Sequence, residues 1–308
     1  MTSQTRPLVS VVIPTYNHAH FLGRALQSVV DQTYSNWEAI VIDNHSHDNT
    51  DQVIQSFKNS RITTLKIHNN GIIAASRNAG INAAKGDWIA FLDSDDLWYP
   101  QKLEVVMKGV DEDPTIDVFS TDEFLVNELT GSKILLEYGP CSLDLYKALL
   151  ISGNRFSPSA TLVKRNFLNR MTIRFRENRG FVTAEDYDLW MLLAREGAKF
   201  KCIRSVQGEY SIHATNSSGQ AAKHQKNIVN VIQDHVYKQQ SFQANKDRLW
   251  SEINARLLLA KSKQLLIDKK FLVGLIALAE ALFSSFSGTL SYVLYKIRNK
   301  WINDSDSS

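Results

Sequence analysis

Cysteine is nearly absent from this chain: Cys141 and Cys202 are the only two in 308 residues, far apart and outside any C-x-x-C spacing. Neither a disulfide framework nor a cysteine-based zinc site is therefore expected, and a reducing compartment is the default. Long apolar runs are also lacking. Phe271 to Ala279 is followed by Glu280 and then by the polar stretch Ser284 to Thr289, well short of the roughly 20 residues a spanning helix needs. Met1 to Pro7 is polar with a single Arg and has no apolar core or cleavage site of a secretory signal, so the expected location is the cytoplasm. No sign of charge dominates either. Thirty-five Lys and Arg against 32 Asp and Glu give +3, too close to balance to identify a nucleic-acid binder by its charge. With 44% hydrophobic and 22% charged residues, wholesale disorder and collagen-like structure are excluded.

The near-neutral sum hides an asymmetry. Residues 1–222 carry 22 basic and 25 acidic residues, whereas Lys223 to Lys300 carries 13 basic and 5 acidic. The second stretch also lacks proline, has little glycine and is rich in Lys, Gln and Asn, which reads as helical and outside any sheet. The expected division is a catalytic domain over 1–220 and a helical region over 221–308.

The first hundred residues alternate strand-like and helix-like segments, the pattern of a parallel sheet covered by helices. Leu8 to Ile13, Trp37 to Ile42, Ile62 to Ile67 and Trp88 to Leu92 are predicted strands. Helical spacing appears at His20 to Asp31, Asp48 to Phe57 and Ile72 to Ala84, and later at Gln101 to Val110 and Glu185 to Arg195. Further short strands are expected at Ile116 to Ser120 and Ala160 to Val163. Each early strand ends in a polar stretch. Ligands of open α/β sheets bind at those carboxyl ends, so Pro14 to Asn17, Asp43 to Ser46 and Asp93 to Asp96 are expected to converge. The cluster Asp93-Ser94-Asp95-Asp96 is the most unusual of the three. Three carboxylates in four residues repel one another unless a cation or solvent compensates, and a hard divalent ion with oxygen ligands would do so. A solvated acidic turn or a helix cap is the competing reading.

Several motifs in order carry a resemblance. They are Val9 to Asn17, Val41-Ile42-Asp43-Asn44 with Ser46, Asp48 and Thr50, Asn70-Gly71 with Ser76-Arg77-Asn78, Ala84 to Asp87, and Phe91 to Asp96. Together with Glu185-Asp186 and Tyr210-Ser211-Ile212-His213, this set resembles family 2 glycosyltransferases of the GT-A fold over roughly residues 8–215. The resemblance implies a mostly parallel, Rossmann-like sheet flanked by helices, with the C-terminal helices as an extension. It also implies inverting transfer of a sugar from a nucleoside diphosphate donor to an acceptor hydroxyl, assisted by Mn²⁺ or Mg²⁺. Pro14, Thr15, Asp43, Asn44, Arg77 and Asp93 would then serve the nucleotide, and Asp95 with His213 the metal. Asp96, Ser159 and Glu185 would face the donor or acceptor sugar, and Asp186 would be the base that takes the acceptor proton. Many relatives have Asp and Gly where this chain has Asn44 and His45. Asn216, Ser217 and Ser218 continue the last motif.

The resemblance further implies a glycan or lipid-linked acceptor of surface polysaccharide synthesis, with UDP-hexose as the expected donor. For the C-terminal stretch two readings stand together. In one, Phe271 to Phe286 is an amphipathic helix whose neighbours Lys263, Lys269, Lys270, Lys296, Arg298 and Lys300 contact an anionic membrane at its inner face. In the other, its apolar side packs on protein. A nucleotidyltransferase on a similar sheet would carry a Gly-rich, basic loop after the first strand, which Pro14-Thr15-Tyr16-Asn17 does not supply. A non-catalytic nucleotide-sugar-binding scaffold would need neither Asp95 nor Asp186.

Overall fold

In a computed structural model, residues 6–139, 141, 144–213, 221–267, 269–286, 289, 290 and 293 are described. The chain forms two compact units, Met1–Leu145 with Arg155–Val231, and Tyr146–Asn154 with Ile232–Ser308. The first unit thus runs past the division expected at residue 220, and the second takes in a short earlier segment.

The first unit is built on a sheet with nine strands among the described residues, ordered β3-β2-β1-β4-β8-β6-β9-β5 with β7 beside β6. Its parallel half consists of β1 (Val9–Thr15), β2 (Trp37–Asp43), β3 (Ile62–Lys66) and β4 (Trp88–Phe91). Helices α1 (Ala19–Val30), α2 (Thr50–Ser56) and α3 (Ile73–Ala83) connect these strands in turn. One face of this half carries Val9, Val11, Ile13, Trp37, Ala39, Val41, Trp88 and Ala90, all buried in one core with Leu22, Ala25, Leu26 and Val29 of α1. The period of two along the strands and the helical spacing along α1 put these side chains on facing surfaces. Against the other face lies α3. A Cβ at Gly80 would fall 2.3 Å from Val12 Cγ1, so only glycine lets that helix approach β1 this closely.

Beyond β4 the sheet becomes mixed. β8 (Thr161–Lys164) is antiparallel to both β4 and β6 (Val118–Asn127), while β9 (Phe200–Ile212) runs parallel to β6. β5 (Leu97–Trp98) pairs with β9, and β7 (Lys133–Leu136) pairs with β6, both antiparallel. Helices α4 (Lys102–Glu112), α6 (Arg165–Arg170) and α7 (Glu185–Arg195) complete this part; α5 (Leu145–Ser152) falls, but for its first residue, in the second unit, and α8 (Ala221–Asp234) follows the undescribed 214–220.

The expectation that the two cysteines are unbridged is overturned, because Cys141 and Cys202 form a disulfide with Cα atoms 6.5 Å apart. After β7 the chain crosses β6, where Tyr138 N–H donates to Asp122, and reaches β9, where Arg204 donates to the Tyr138 carbonyl. That crossing brings together residues separated by 61 positions, which sequence spacing does not reveal.

In the second unit α9 (Lys246–Ile267) and α10 (Phe271–Ser284) form a helical hairpin, turning at Lys269 with φ 60°. Among the described residues no helix is long and apolar enough to cross a membrane.

Candidate functional site

The order β3-β2-β1-β4 reverses direction at β1, which makes the carboxyl ends of β1, β2 and β4 a topological switch point. Pro14 lies inside β1, two residues beyond Val12, the last residue paired with β4. Its missing N–H therefore costs no bond on that side. The strand continues to Thr15, whose register partner on β2 is Asp43. Both are buried; Thr15 Oγ1 has no hydrogen-bond partner among the described residues, and Asp43 Oδ2 accepts no hydrogen bond there but lies 3.7 Å from Lys66 Nζ in an ion pair. An orphaned buried polar atom costs on the order of 1–3 kcal/mol, and a polar ligand bound at these strand ends would relieve that of Thr15.

The other Asp43 oxygen is committed: Oδ1 accepts from Ser46 N–H at 2.9 Å and from Ser46 Oγ at 2.6 Å. This Asx turn wraps the loop around the carboxylate, with His45 at φ 53°. Three loops are stitched together here. Asn17 N–H donates to Ser46 Oγ, His47 N–H to Asn17 Oδ1, and Asn69 N–H to Asn44 Oδ1. Asn44 thus spends its carbonyl oxygen on the platform itself. His45 stacks on His68, with ring centroids 3.8 Å apart.

The acidic cluster divides by environment. Asp95 Oδ2 and His213 Nε2 are 2.8 Å apart, so the structure unites two residues 118 positions distant. His213 is stacked on Phe21 of α1 at 4.3 Å, and His18 Nδ1 lies 3.0 Å from Ser94 Oγ. Burial first, and then the charge of Asp93, push the Asp95 carboxyl above its ordinary value, while the bond to His213 pulls the other way. Burial pushes His18 below its ordinary value against the attraction of Asp95.

A divalent ion was expected here, and the donor set fits one. Carboxylate and neutral imidazole are ordinary Mn²⁺ ligands. Among the described residues no three His, Cys, Asp or Glu side chains form a ready cage, so donor atoms from outside this pair would have to complete the shell.

Asp96 and Ser159, expected to face a sugar, are hydrogen-bonded to each other. Asp96 is 2% exposed; its Oδ2 accepts from Ser159 Oγ at 2.5 Å and its Oδ1 from Ser211 N–H at 2.9 Å. Ser159 Oγ in turn accepts from Asp93 N–H at 3.1 Å. Together they brace the Asp93 to Asp95 turn from behind, against β9. Burial, with Asp95 and Asp93 nearby, holds the Asp96 carboxyl well above the usual range.

Arg77 also differs from expectation. It is 2% exposed on α3, and its two terminal nitrogens donate to Glu185 Oε1 at 2.6 Å and Asp93 Oδ1 at 2.7 Å. Burial alone would depress the guanidinium, but the charges of Asp93 and Glu185 outweigh it and raise its pKa. With both terminal nitrogens engaged and the group buried, Arg77 clamps the turn after β4 to α7. The clamp sets the first turn of α7 beside the acidic cluster. In that turn Glu185, Tyr187 and Asp188 are buried and Asp186 is half-exposed. Glu185 supports the turn, with its Oε2 lacking a partner among the described residues. Asp188 is held by Arg176, whose Nε donates at 2.8 Å. Asn216, Ser217 and Ser218 lie outside the described residues.

Sequence reasoning missed the supporting roles of Phe21, Ser46 and Ser211. Ser46 and Ser211 stand in the quoted motifs, but nothing local shows which carboxylate Ser211 meets or that Phe21 stacks on His213, whereas Ser46 three residues after Asp43 is an Asx-turn spacing.

A doubly wound half-sheet, buried polar side chains at the carboxyl ends of β1 and β2, and an Asp–His pair after β4 define a GT-A type glycosyltransferase. The glycosyl transferase family 2 pattern matches residues 10–171, and the chain belongs to that family. It is 39% identical over 216 residues to a putative teichuronic acid biosynthesis glycosyltransferase, TuaG, of Bacillus subtilis, covering 67% of this chain and 80% of that protein. It is 29% identical over 231 residues to the Escherichia coli UDP-Glc:alpha-D-GlcNAc-diphosphoundecaprenol beta-1,3-glucosyltransferase WfgD, covering 74% and 87% respectively. Among solved structures it shares the fold of S. aureus TarS 1-349 in complex with UDP-GlcNAc, with a TM-score of 0.64, 17% identity, and 93% and 91% of the two chains covered. The mannosyltransferase PcManGT of Pyrobaculum calidifontis, in complex with GDP-Man and Mn2+, gives a TM-score of 0.62 at 20% identity, covering 97% of this chain and 81% of its own.

Proposed function

We propose that this glycosyltransferase moves a hexose, with inversion, from UDP to a hydroxyl of a lipid-linked glycan during surface polysaccharide synthesis, on the inner face of the cytoplasmic membrane. The observation that carries this reading is the Arg77 clamp. By joining Asp93 to Glu185, it supports a site in which donor-binding and acceptor-activating carboxylates work side by side. The acceptor oxygen attacks the anomeric carbon from the face opposite the diphosphate. The new C–O bond forms as the bond to the diphosphate breaks, and the acceptor proton passes to an Asp186 carboxylate oxygen. Asp95 and His213, with Asp93 adjacent, would hold a divalent cation, which supplies positive charge for the departing diphosphate.

Asp43 favours uracil as the base. With Oδ1 occupied by Ser46, Oδ2, which Lys66 Nζ approaches only to 3.7 Å, is the oxygen that still accepts no hydrogen bond, which suits the single N3–H donor of uracil better than the paired N1–H and N2–H of guanine. A UDP-glucose-dependent relative acting on a diphosphoundecaprenol-linked sugar and one named for teichuronic acid synthesis support the donor and acceptor classes. A panel of UDP-, GDP- and dTDP-sugars, scored by thermal shift with and without Mn²⁺, tests the reading. A UDP-hexose at one hundred times its Kd should stabilise the protein by about 2.7 kcal/mol, and only when Mn²⁺ is present. Stabilisation by GDP-sugars alone would remove the uracil assignment, and no response to any nucleotide sugar would remove the donor assignment.

A further inference from the structure

Helix α10 is built inside out for a water-facing helix. Its buried residues are small: Gly274, Ala277 and Ala281, at i, i+3 and i+7. This stripe faces α9. A Cβ at Gly274 would lie 2.9 Å from Leu266 Cδ2, and Ser262 Oγ donates to the Gly274 carbonyl at 2.8 Å. The large apolar side chains point away. Leu272 is 73% exposed, Ile276 50% and Phe283 92%, and they lie on the side opposite the small stripe. Phe271, Val273, Leu275 and Leu282 flank them and are also exposed. At 100° per residue these side chains spread over an arc of roughly 200°, about twice the stripe that a single packed helix face covers. A contiguous patch of this kind marks an interaction surface.

Charge sits at one end of the patch. Lys261, Lys263, Lys269 and Lys270, in the last turns of α9 and at the entry to α10, are all exposed, and the one acidic residue of α10 itself, Glu280, lies at one edge of the apolar arc, between Ile276 and Val273. Leu259, Leu266, Ile267 and Leu278 line an open groove of about 460 Å³ with Ser262 and Lys263, an apolar trough bordered by a cation. Fourteen residues of α10 span about 21 Å, short of the roughly 30 Å hydrocarbon core, so the helix is suited to lie in a bilayer interface rather than to cross it.

We infer that α10 docks lengthwise into the surface of an anionic phospholipid bilayer, with its apolar arc among the acyl chains and the lysines on the headgroup phosphates. A broad arc fits a solvent that surrounds half the helix, and the adjoining lysines fit an anionic one. The docking serves the lipid-linked acceptor proposed above, on which its biological use rests, but vesicle binding is read without turnover, so either can fail without the other.

The test is flotation of the full chain with phosphatidylcholine vesicles and with vesicles containing one quarter phosphatidylglycerol. Binding should be at least about tenfold tighter to the anionic vesicles. The double substitution Leu272→Glu/Ile276→Glu should abolish it, with the unfolding temperature unchanged because both side chains are already exposed. The triple substitution Lys263→Gln/Lys269→Gln/Lys270→Gln should remove the preference for anionic lipid while leaving the apolar arc intact. Absence of binding to anionic vesicles overturns the inference, as does unchanged binding by the Glu double variant. A chain that sedimentation shows to be a dimer, made monomeric by the double variant and without vesicle affinity in either form, overturns it in favour of a second copy.

Discussion

Removing Arg77 should cost stability before it costs substrate binding. The guanidinium is buried and holds Glu185 at 2.6 Å and Asp93 at 2.7 Å, with the three side chains 3%, 6% and 22% exposed. In Arg77→Met the apolar stem is kept and the charge is lost, so Glu185 is left buried without its counter-charge. Breaking a buried pair from one side costs about 3–5 kcal/mol, and Asp93, partly solvated, adds little to that. For a unit of this size each kcal/mol lowers Tm by roughly 2–4 °C, so the expected drop is on the order of 10 °C by scanning fluorimetry. Adding Glu185→Gln should return more than half of the loss, because the uncompensated charge is then gone. UDP–Mn²⁺ titrations, run below both transitions, complete the assay. If Arg77→Met keeps the wild-type Tm while UDP affinity falls tenfold or more, the guanidinium binds the nucleotide and the clamp assignment is wrong.

Asp186→Asn should leave UDP-sugar and Mn²⁺ binding within about twofold by calorimetry, yet lower turnover by at least the roughly 10²–10⁴-fold that a general base contributes; normal turnover would assign the proton to another group. Lys102 offers a pH test of the interior. It is buried on α4 against Thr121 and the Trp98 ring, and burial pushes its pKa down to about 8, against the pull of Glu123 and Asp96. Between pH 8 and 9.5 the unfolded chain holds the proton that the folded chain has released, so stability rises with pH, by about 2 kcal/mol from this residue. Lys102→Met should flatten that rise in urea titrations, and an unchanged slope would show that Lys102 is not the titrating group.

What the chain shows locally proved readable. The parallel half-sheet and α1 to α3 follow from runs of Val, Ile and Leu at period two alternating with helical spacing, and from polar turns after each strand. Asp93, Asp95 and Glu185-Asp186 are legible because carboxylates at a strand end and in a helix's first turn are unusual enough to stand out with their neighbours in order. The long strand β9 was not read, because Phe200 to Ile212 mixes Lys, Arg, Ser, Gln and Glu and owes its extended form to pairing with β6.

The motifs in their order carried the resemblance to the family, and local chemistry within the sequence by itself determined the strand-end acidic cluster and the basic helical tail, since periodicity, turn residues and charge density need no knowledge of what packs where. Only the tertiary structure decided what each polar group is for. Arg77 became a clamp, Asp96 and Ser159 became a brace, Cys141 met Cys202, and the small face of α10 turned inward. Each of these outcomes depends on a partner tens of residues away or on which side of a helix is covered, and such pairings are settled by burial and hydrogen-bond satisfaction across the whole fold.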